Sequence, residues 1–441
     1  FQELDYRAVF GSMTKWTTEI DDAARIPEIL SRAFHVAMSG RPGPVVIALP
    51  EDMLVEMAEV ADAPYVTPAE TAPSLSAMAE LQKRLWAAKS PVMLLGGTRW
   101  TEGAIRTVTR FAERFELPVA VSFRRQMLFP ADHPNFAGDL GIGPNPALLK
   151  RIREADLVLA VGARIGEMPS QGYTLFDIPG DGSRLVHVHP GAEELGRVYA
   201  PAQAIHADPA SFAAALEGVH PPRVIPWKGQ AEEAHASFLG WTTPKPIPGR
   251  LQMGEIMLHL RETLPPDTIL CNGAGNYATW LHRYYRFNRY QTQSAPTSGS
   301  MGYGVPAAVG AKRIFPERMV VAFAGDGCFL MNGQDFATAV QYDLPIIVLV
   351  IDNGMYGTIR MHQEREYPGR VSATALKNPD FAAYARAFGG HGERVETTAD
   401  FAPAFARAMA SGKPAILHCL IDPEAITPTT TITALREAAK A

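Results

Sequence analysis

Two uncharged apolar runs constrain this chain more than any other feature: MVVAFAG at 319–325 and LPIIVLVI at 344–351. Neither has the polar residue at every second position that a one-sided sheet requires, so both belong to strands buried on two faces. Each run is followed at once by a polar group, which places Asp326 and Asn353 27 positions apart, each just past a strand. The amphipathic stretch between them, NGQDFATAVQY, predicts a helix. Strand, helix and strand in a right-handed crossover set the two strand ends side by side. Ligands of such sheets bind beyond the carboxyl ends of the strands, so Asp326 and Asn353 are expected to share one crevice.

The same alternation recurs upstream. PVMLLGG, LPVAVSF, ADLVLAVGA and SRLVHVHP read as strands, TEGAIRTVTRFAERF and DPASFAAALEG as helices. In the last block TILCNG and AILHCLI join the two runs above, with NPDFAAYARAF among the helices. The fold class is α/β, with doubly wound parallel sheets. Pro-rich stretches at 62–76 and 219–250 read as linkers. Three units follow: residues 1–62, with about one helix (IPEILSRAFHVAM) and one strand (in GRPGPVVIALPED), then 75–220 and 250–430.

Composition removes several function classes. A formal charge of -5 gives no basic footprint for nucleic acid. The longest apolar runs reach only half of the roughly 18–20 residues a membrane helix needs. Three isolated cysteines, Cys271, Cys328 and Cys419, make neither a disulfide framework nor a CxxC site. A cytoplasmic protein with small-molecule substrates is expected. The opening FQELDYRAVF has no initiator Met, so further chain is expected ahead of it.

Asp and Asn oxygens are hard ligands suited to Mg²⁺, which usually completes its shell with water and substrate phosphates. Two side chains leave that shell unfilled, so a phosphorylated ligand must supply the remainder. Gly325 and Gly327 allow close backbone approach, and N–H groups near Cys328 at the helix start offer an anion site. A second cluster, TILCNGAGNYATW, sets Gly273, Gly275 and Ala278 in the GxGxxA pattern of a dinucleotide turn. That pattern also wants an acid about 20 residues later. No Asp or Glu lies between Asp267 and Glu317, which ranks an NAD-dependent dehydrogenase below a turn that cradles phosphate.

GDG followed after 25 residues by Asn353 resembles the thiamine diphosphate fingerprint of the acetohydroxyacid synthase, pyruvate oxidase and 2-oxo acid decarboxylase family. GRPGPVVIALPED resembles the end of that family's pyrimidine-binding domain, and FQE with MTKW a slightly earlier segment. SGSMGYGVPAAVGAK is similar to the cofactor-bending stretch, and DNGMYG to the metal loop. The resemblance covers essentially the whole chain and implies a thiamine diphosphate-binding fold with a Rossmann-like central domain.

Carried over residue by residue, it implies that Mg²⁺ is held by the side chains of Asp326 and Asn353 and the main-chain oxygen of Met355. Gly275, Asn276 and Tyr277 would face the diphosphate, with Gly325, Gly327 and Cys328 beside them, and the metal loop would run on through Tyr356 and Gly357. Met301 would be the apolar wedge that bends the cofactor, and Gly299 would accept a hydrogen bond from its aminopyrimidine. Gln2 would approach from across the interface of a homodimer or homotetramer.

Thr358, Ile359 and His362 would face substrate, Thr358 and His362 standing one helical turn apart if GTIRMHQEREYPGR opens a helix. The synthases carry Trp where His362 stands. The implied activity is decarboxylation of a 2-oxo acid with carboligation, in the manner of an acetolactate synthase. The family's activating glutamate would precede Phe1, which leaves a non-catalytic cofactor-binding or scaffold protein as the alternative. FAD is not favoured, because GARIGEMPSQGY lacks the synthases' acidic run and His189 stands where an acid usually ends the strand. His187 and His189 share a strand face and read as packing or hydrogen-bonding groups rather than zinc ligands.

Overall fold

The computed structural model describes residues 3–440 apart from Pro179 and Asp181, so Gln2 lies outside the described residues. Strands β1 (Trp16–Glu19) and β2 (Val45–Ala48) pair in parallel near the start of the chain, beside the helix Ile26–Met38. A six-stranded sheet follows, from β3 (Pro91–Leu95), β4 (Val119–Ser122), β5 (Phe136–Leu140), β6 (Leu157–Val161), β7 (Leu185–His189) and β8 (Gln203–His206). A second contains β9 (Ile269–Asn272), β10 (Gln293–Ser294), β11 (Val320–Gly325), β12 (Ile347–Asp352), β13 (His391–Val395) and β14 (Ala415–Leu420).

The first large sheet has the order β5-β4-β3-β6-β7-β8 and the second β10-β9-β11-β12-β14-β13. Every pairing is parallel. The strand order reverses between β3 and β6 in the first sheet and between β9 and β11 in the second, where β14 also inserts between β12 and β13; such reversals are where doubly wound folds open a crevice. The pairing of β11 with β12 sets Gly325 opposite Ile351, so Asp326 and Asn353 leave neighbouring strand ends, as the spacing predicts.

Three features differ from the sequence reading. Strands β1, β5, β8, β10 and β13 went unread, and all five stand at sheet edges. Edge strands bury less surface and carry polar residues that break the apolar signal; β8 reads QAIH and β13 HGERV. Second, the 219–250 stretch holds a helix, Gln230–Trp241, that buries Ala231, Ala234 and Phe238; the Phe238 ring meets Phe136 of β5 edge-on at 4.8 Å. Few apolar side chains carry that packing, and flanking prolines mask it. Third, the crossover from β11 to β12 is two helices, Asp326–Asn332 and Phe336–Gln341, joined by a tight turn at Gly333–Asp335.

The two large sheets are locked together by the segment after β4. Arg124 donates to the carbonyls of Pro296 and Gly273. Gln126 and Gln293 exchange two hydrogen bonds of 2.8 Å, and Gln126 also donates to the His282 carbonyl at 2.6 Å. The end of β9 is thereby held against the central sheet. Ile347, Val348, Leu349, Val350 and Ile351 of β12 are all buried. At roughly 1.5–3 kcal/mol per buried side chain, they contribute on the order of 10 kcal/mol. That exceeds the several kcal/mol that burying a carboxylate at the strand tips costs.

Candidate functional site

A cavity of about 250 Å³ lies at the carboxyl ends of β9, β11 and β12. Its walls include Gly275, Asn276 and Tyr277 after β9, Gly299 and Met301 before the helix Gly304–Ile314, Gly325 at the end of β11, and Asp326, Gly327 and Cys328 after it. Asn353, Met355, Tyr356, Gly357, Thr358 and Ile359 after β12 close it. His362 lies outside this cavity and lines the adjoining groove between the two sheets, which Thr358 faces as well. The helix Gly357–Glu366 carries both residues one turn apart.

Oxygen atoms converge at the strand tips. The Met355 N–H donates to Asp326 Oδ2 at 3.2 Å and to Asn353 Oδ1 at 3.3 Å, so the carboxylate and the carboxamide meet at one point. Gly327 N–H binds the other Asp326 oxygen at 2.9 Å. A Cβ on Gly327 would stand 2.6 Å from the Tyr356 ring, so only glycine lets the loop after β12 lie this close to the helix start.

Beneath this point lies a polar chain that was not singled out from the sequence. Asn378 Nδ2 donates to Asp326 Oδ2 and to Asp352 Oδ1, both at 2.8 Å. Asp352 also accepts from Gly354 N–H and from His418 Nε2, again at 2.8 Å. Burial pushes the Asp326 carboxyl up to about 7, and the neighbouring Asp352 charge adds to that rise. Burial also works against the charge of Asp352, but His418 and the Gly354 N–H hold its carboxyl below the usual range. Two buried carboxylates this close cannot both ionise cheaply without a cation.

The donor set fits a hard divalent cation: one carboxylate and one carboxamide oxygen converging beside a cavity, and the Asn378 Oδ1 buried nearby without a partner. No cluster of three or more His, Cys, Asp or Glu suited to a metal exists among the described residues.

Several polar groups expected to face a ligand are engaged with each other. The Tyr277 hydroxyl meets Cys328 Sγ at 3.2 Å, and the Gly302 N–H donates to the same sulfur. Tyr277 and Cys328 therefore offer wall and main chain to the cavity. Asn276 N–H donates to Thr358 Oγ1 at 3.1 Å, and the Thr358 hydroxyl donates to Asn276 Oδ1 at 2.9 Å. This exchange ties the β9 turn to the helix Gly357–Glu366. In the central sheet His187 donates through Nε2 to the Ala163 carbonyl at 2.8 Å, and His189 Nδ1 meets the Gly191 main chain.

Asp352 stood beside Asn353 in the sequence without a role, and His418, a lone imidazole inside AILHCL, was the one signal that a buried acid must face it. Asn378 carried no signal.

Known proteins resemble the chain over most of its length. Residues 273–419 match the family described as thiamine pyrophosphate enzyme, C-terminal TPP binding domain, and residues 78–216 its central domain. The acetolactate synthase large subunit of Corynebacterium glutamicum is 28% identical over 446 residues, spanning 96% of this chain and 70% of that protein. Sulfoacetaldehyde acetyltransferase of Alcaligenes xylosoxydans is 28% identical over 457 residues, covering 95% and 75%. A solved structure, the thiamine diphosphate-dependent 4-hydroxybenzoylformate decarboxylase of Rhodococcus jostii RHA1, superposes with a TM-score of 0.78 at 25% identity, over 95% of this chain and 79% of that one.

Proposed function

The chain belongs to the thiamine diphosphate-dependent enzymes of the acetolactate synthase and decarboxylase superfamily, and from that premise we propose that it uses thiamine diphosphate and Mg²⁺ to decarboxylate a 2-oxo acid and pass the resulting carbanion to a second carbonyl. The observation that carries this reading is the convergence of Asp326 and Asn353 oxygens on the Met355 N–H, at neighbouring strand tips beside a cavity. When bound, the cofactor supplies a thiazolium that absorbs the electrons left as carbon dioxide departs.

The protein's part is to hold and orient. Asp326, Asn353 and the Met355 carbonyl would bind Mg²⁺, and the turn through Gly275 and Asn276, with Gly327 and Cys328, would receive the diphosphate through main-chain N–H groups. Met301 would bend the cofactor against the Gly299 carbonyl, while Thr358, Ile359 and His362 would shape the substrate side. Met301, Tyr303, Leu330 and Met331 are exposed apolar residues. Such residues favour a partner subunit over that face, in a homodimer or homotetramer. No helix among the described residues is long and apolar enough to cross a membrane.

Ultrafiltration of the chain with thiamine diphosphate and Mg²⁺ tests the reading. Retention should require Mg²⁺, vanish with EDTA and fall at least about 100-fold in Asp326→Ala, since a first ligand should matter at least as much as an outer partner. Retention that survives both treatments would remove Asp326 from the site.

A further inference from the structure

The cofactor cavity continues into a larger groove of about 660 Å³ between the two six-stranded sheets. Gly275, Asn276, Gly299 and Thr358 line both spaces, so a molecule reacting in the first can extend into the second. The charged and titratable groups of the groove are Arg124, Arg283, Arg365, His282, His362 and one acid, Asp139.

None of the three guanidinium groups has a carboxylate partner among the described residues. Arg124 is 3% exposed and commits its Nη atoms to the carbonyls of Gly273 and Pro296, leaving Nε buried without a partner. Arg283 lies over the Trp241 ring at 3.6 Å and uses only Nε, on the Trp241 carbonyl. The Arg365 side chain is exposed and makes no hydrogen bond or ion pair among the described residues. The contrast lies on the same helix: Arg360 is neutralised by Glu364, which Arg436 also grips through two bonds of 2.8 Å. The remaining titratable groups do not cancel the charge. Burial pushes Asp139 up to about 7, and burial, with the Arg124 charge, holds His282 down to about 3 and therefore neutral.

A groove that gathers uncompensated guanidinium groups, one of them buried, is stabilised by an anion, and the planar guanidinium fork suits a carboxylate or similar oxyanion. Extending the functional reading above, on which it rests, we propose that the substrate is a 2-oxo acid whose far end carries a second anionic group, held in this groove by Arg283 and Arg365 with Arg124 behind them.

Calorimetric titration of the chain loaded with thiamine diphosphate and Mg²⁺ tests this, comparing 2-oxoglutarate with 2-oxopentanoate, which has the same chain length but a methyl end. The dicarboxylate should bind about tenfold more tightly or better, with a preference that shrinks as salt rises. In Arg365→Ala, an exposed change that leaves the fold intact, and in Arg283→Lys, which keeps the charge but loses the fork, the ratio should drop towards unity. Equal affinities in the unmodified chain, or a ratio unchanged in both variants, would overturn the proposal. So would a co-purifying adenine nucleotide or flavin released by the same substitutions, which would assign the cations to that molecule. Thiamine diphosphate retention is read in the same sample. Its failure would sink the functional reading, and with it the word substrate, whereas titrating the two acids against the unloaded chain separately reports whether the groove prefers the second anionic group.

Discussion

Both large sheets reverse their strand order near the middle, between β3 and β6 in one and between β9 and β11 in the other, and the two points have opposite fates. At the end of β9 and β11 the turns stand apart around a cavity of about 250 Å³. At the end of β3 and β6 they close on each other: a Cβ on Gly97 would lie 2.0 Å from the Gly162 oxygen, and one on Gly162 would lie 2.6 Å from the Gly96 oxygen. Arg125 seals that end by donating to the Gly97 carbonyl at 2.7 Å. Topology supplies a crevice in principle. Residues just past the strands decide whether it is kept, and here small residues fill one while Asp326 and Asn353 hold polar groups open in the other.

The largest expected effect comes from forcing the closed point. Gly97→Ala places a methyl group against backbone that cannot yield and should cost about 4 kcal/mol or more in denaturant unfolding. A loss below about 1 kcal/mol would show that the central turns have room to separate. Next comes the open point's polar floor. Asn378→Leu strips a donor from both Asp326 and Asp352, and the Mg²⁺ concentration needed for thiamine diphosphate retention should rise about 10–100-fold; an unchanged requirement would make Asn378 mere packing.

Gly299→Ala, at φ +73 with nothing within 4 Å of the added carbon, should cost only the left-handed strain of roughly 1–2 kcal/mol. A cost equal to that of Gly97→Ala would erase the distinction between the two points.

The smallest effect concerns pH. Arg436, with Gly369 N–H and Arg360, holds the Glu364 carboxyl down to about 2. A carboxyl lowered on folding stabilises the folded state above its ordinary range, and that contribution fades as pH falls from about 4.5 towards about 2. The helix Ile432–Ala438, which carries Arg436, should therefore become protease-sensitive in that window, and Glu364→Gln should be sensitive already at neutral pH.

Legibility followed burial. Every strand with neighbours on both sides was readable, because burial on two faces demands an unbroken apolar run. The five strands missed stand at edges, where one flank is free and residues such as His391, Glu393 and Arg394 are tolerated. Within the site, Asp326 and Asn353 stood out because each interrupts hydrophobicity at a strand tip. Asp352 and Asn378 did not, since Asp352 is overshadowed by Asn353 and Asn378 lies in a polar loop, and the lone His418 of AILHCL did not reveal which acid it meets.

The amino-acid order alone determined the α/β layering, the fact that a helical crossover joins β11 to β12 and the pair of oxygens at its ends, because each is written in a local apolar run and the polar residues that end it. Tertiary structure decided what those oxygens rest on and where the cavity leads. His418 reaches Asp352 only through the register that sets Val350 opposite His418 across β12 and β14, and the arginines of the groove meet only where two sheets dock. Local hydrophobic pattern specifies which strands form; which polar side chains become neighbours is settled by how separate strands pair and sheets pack.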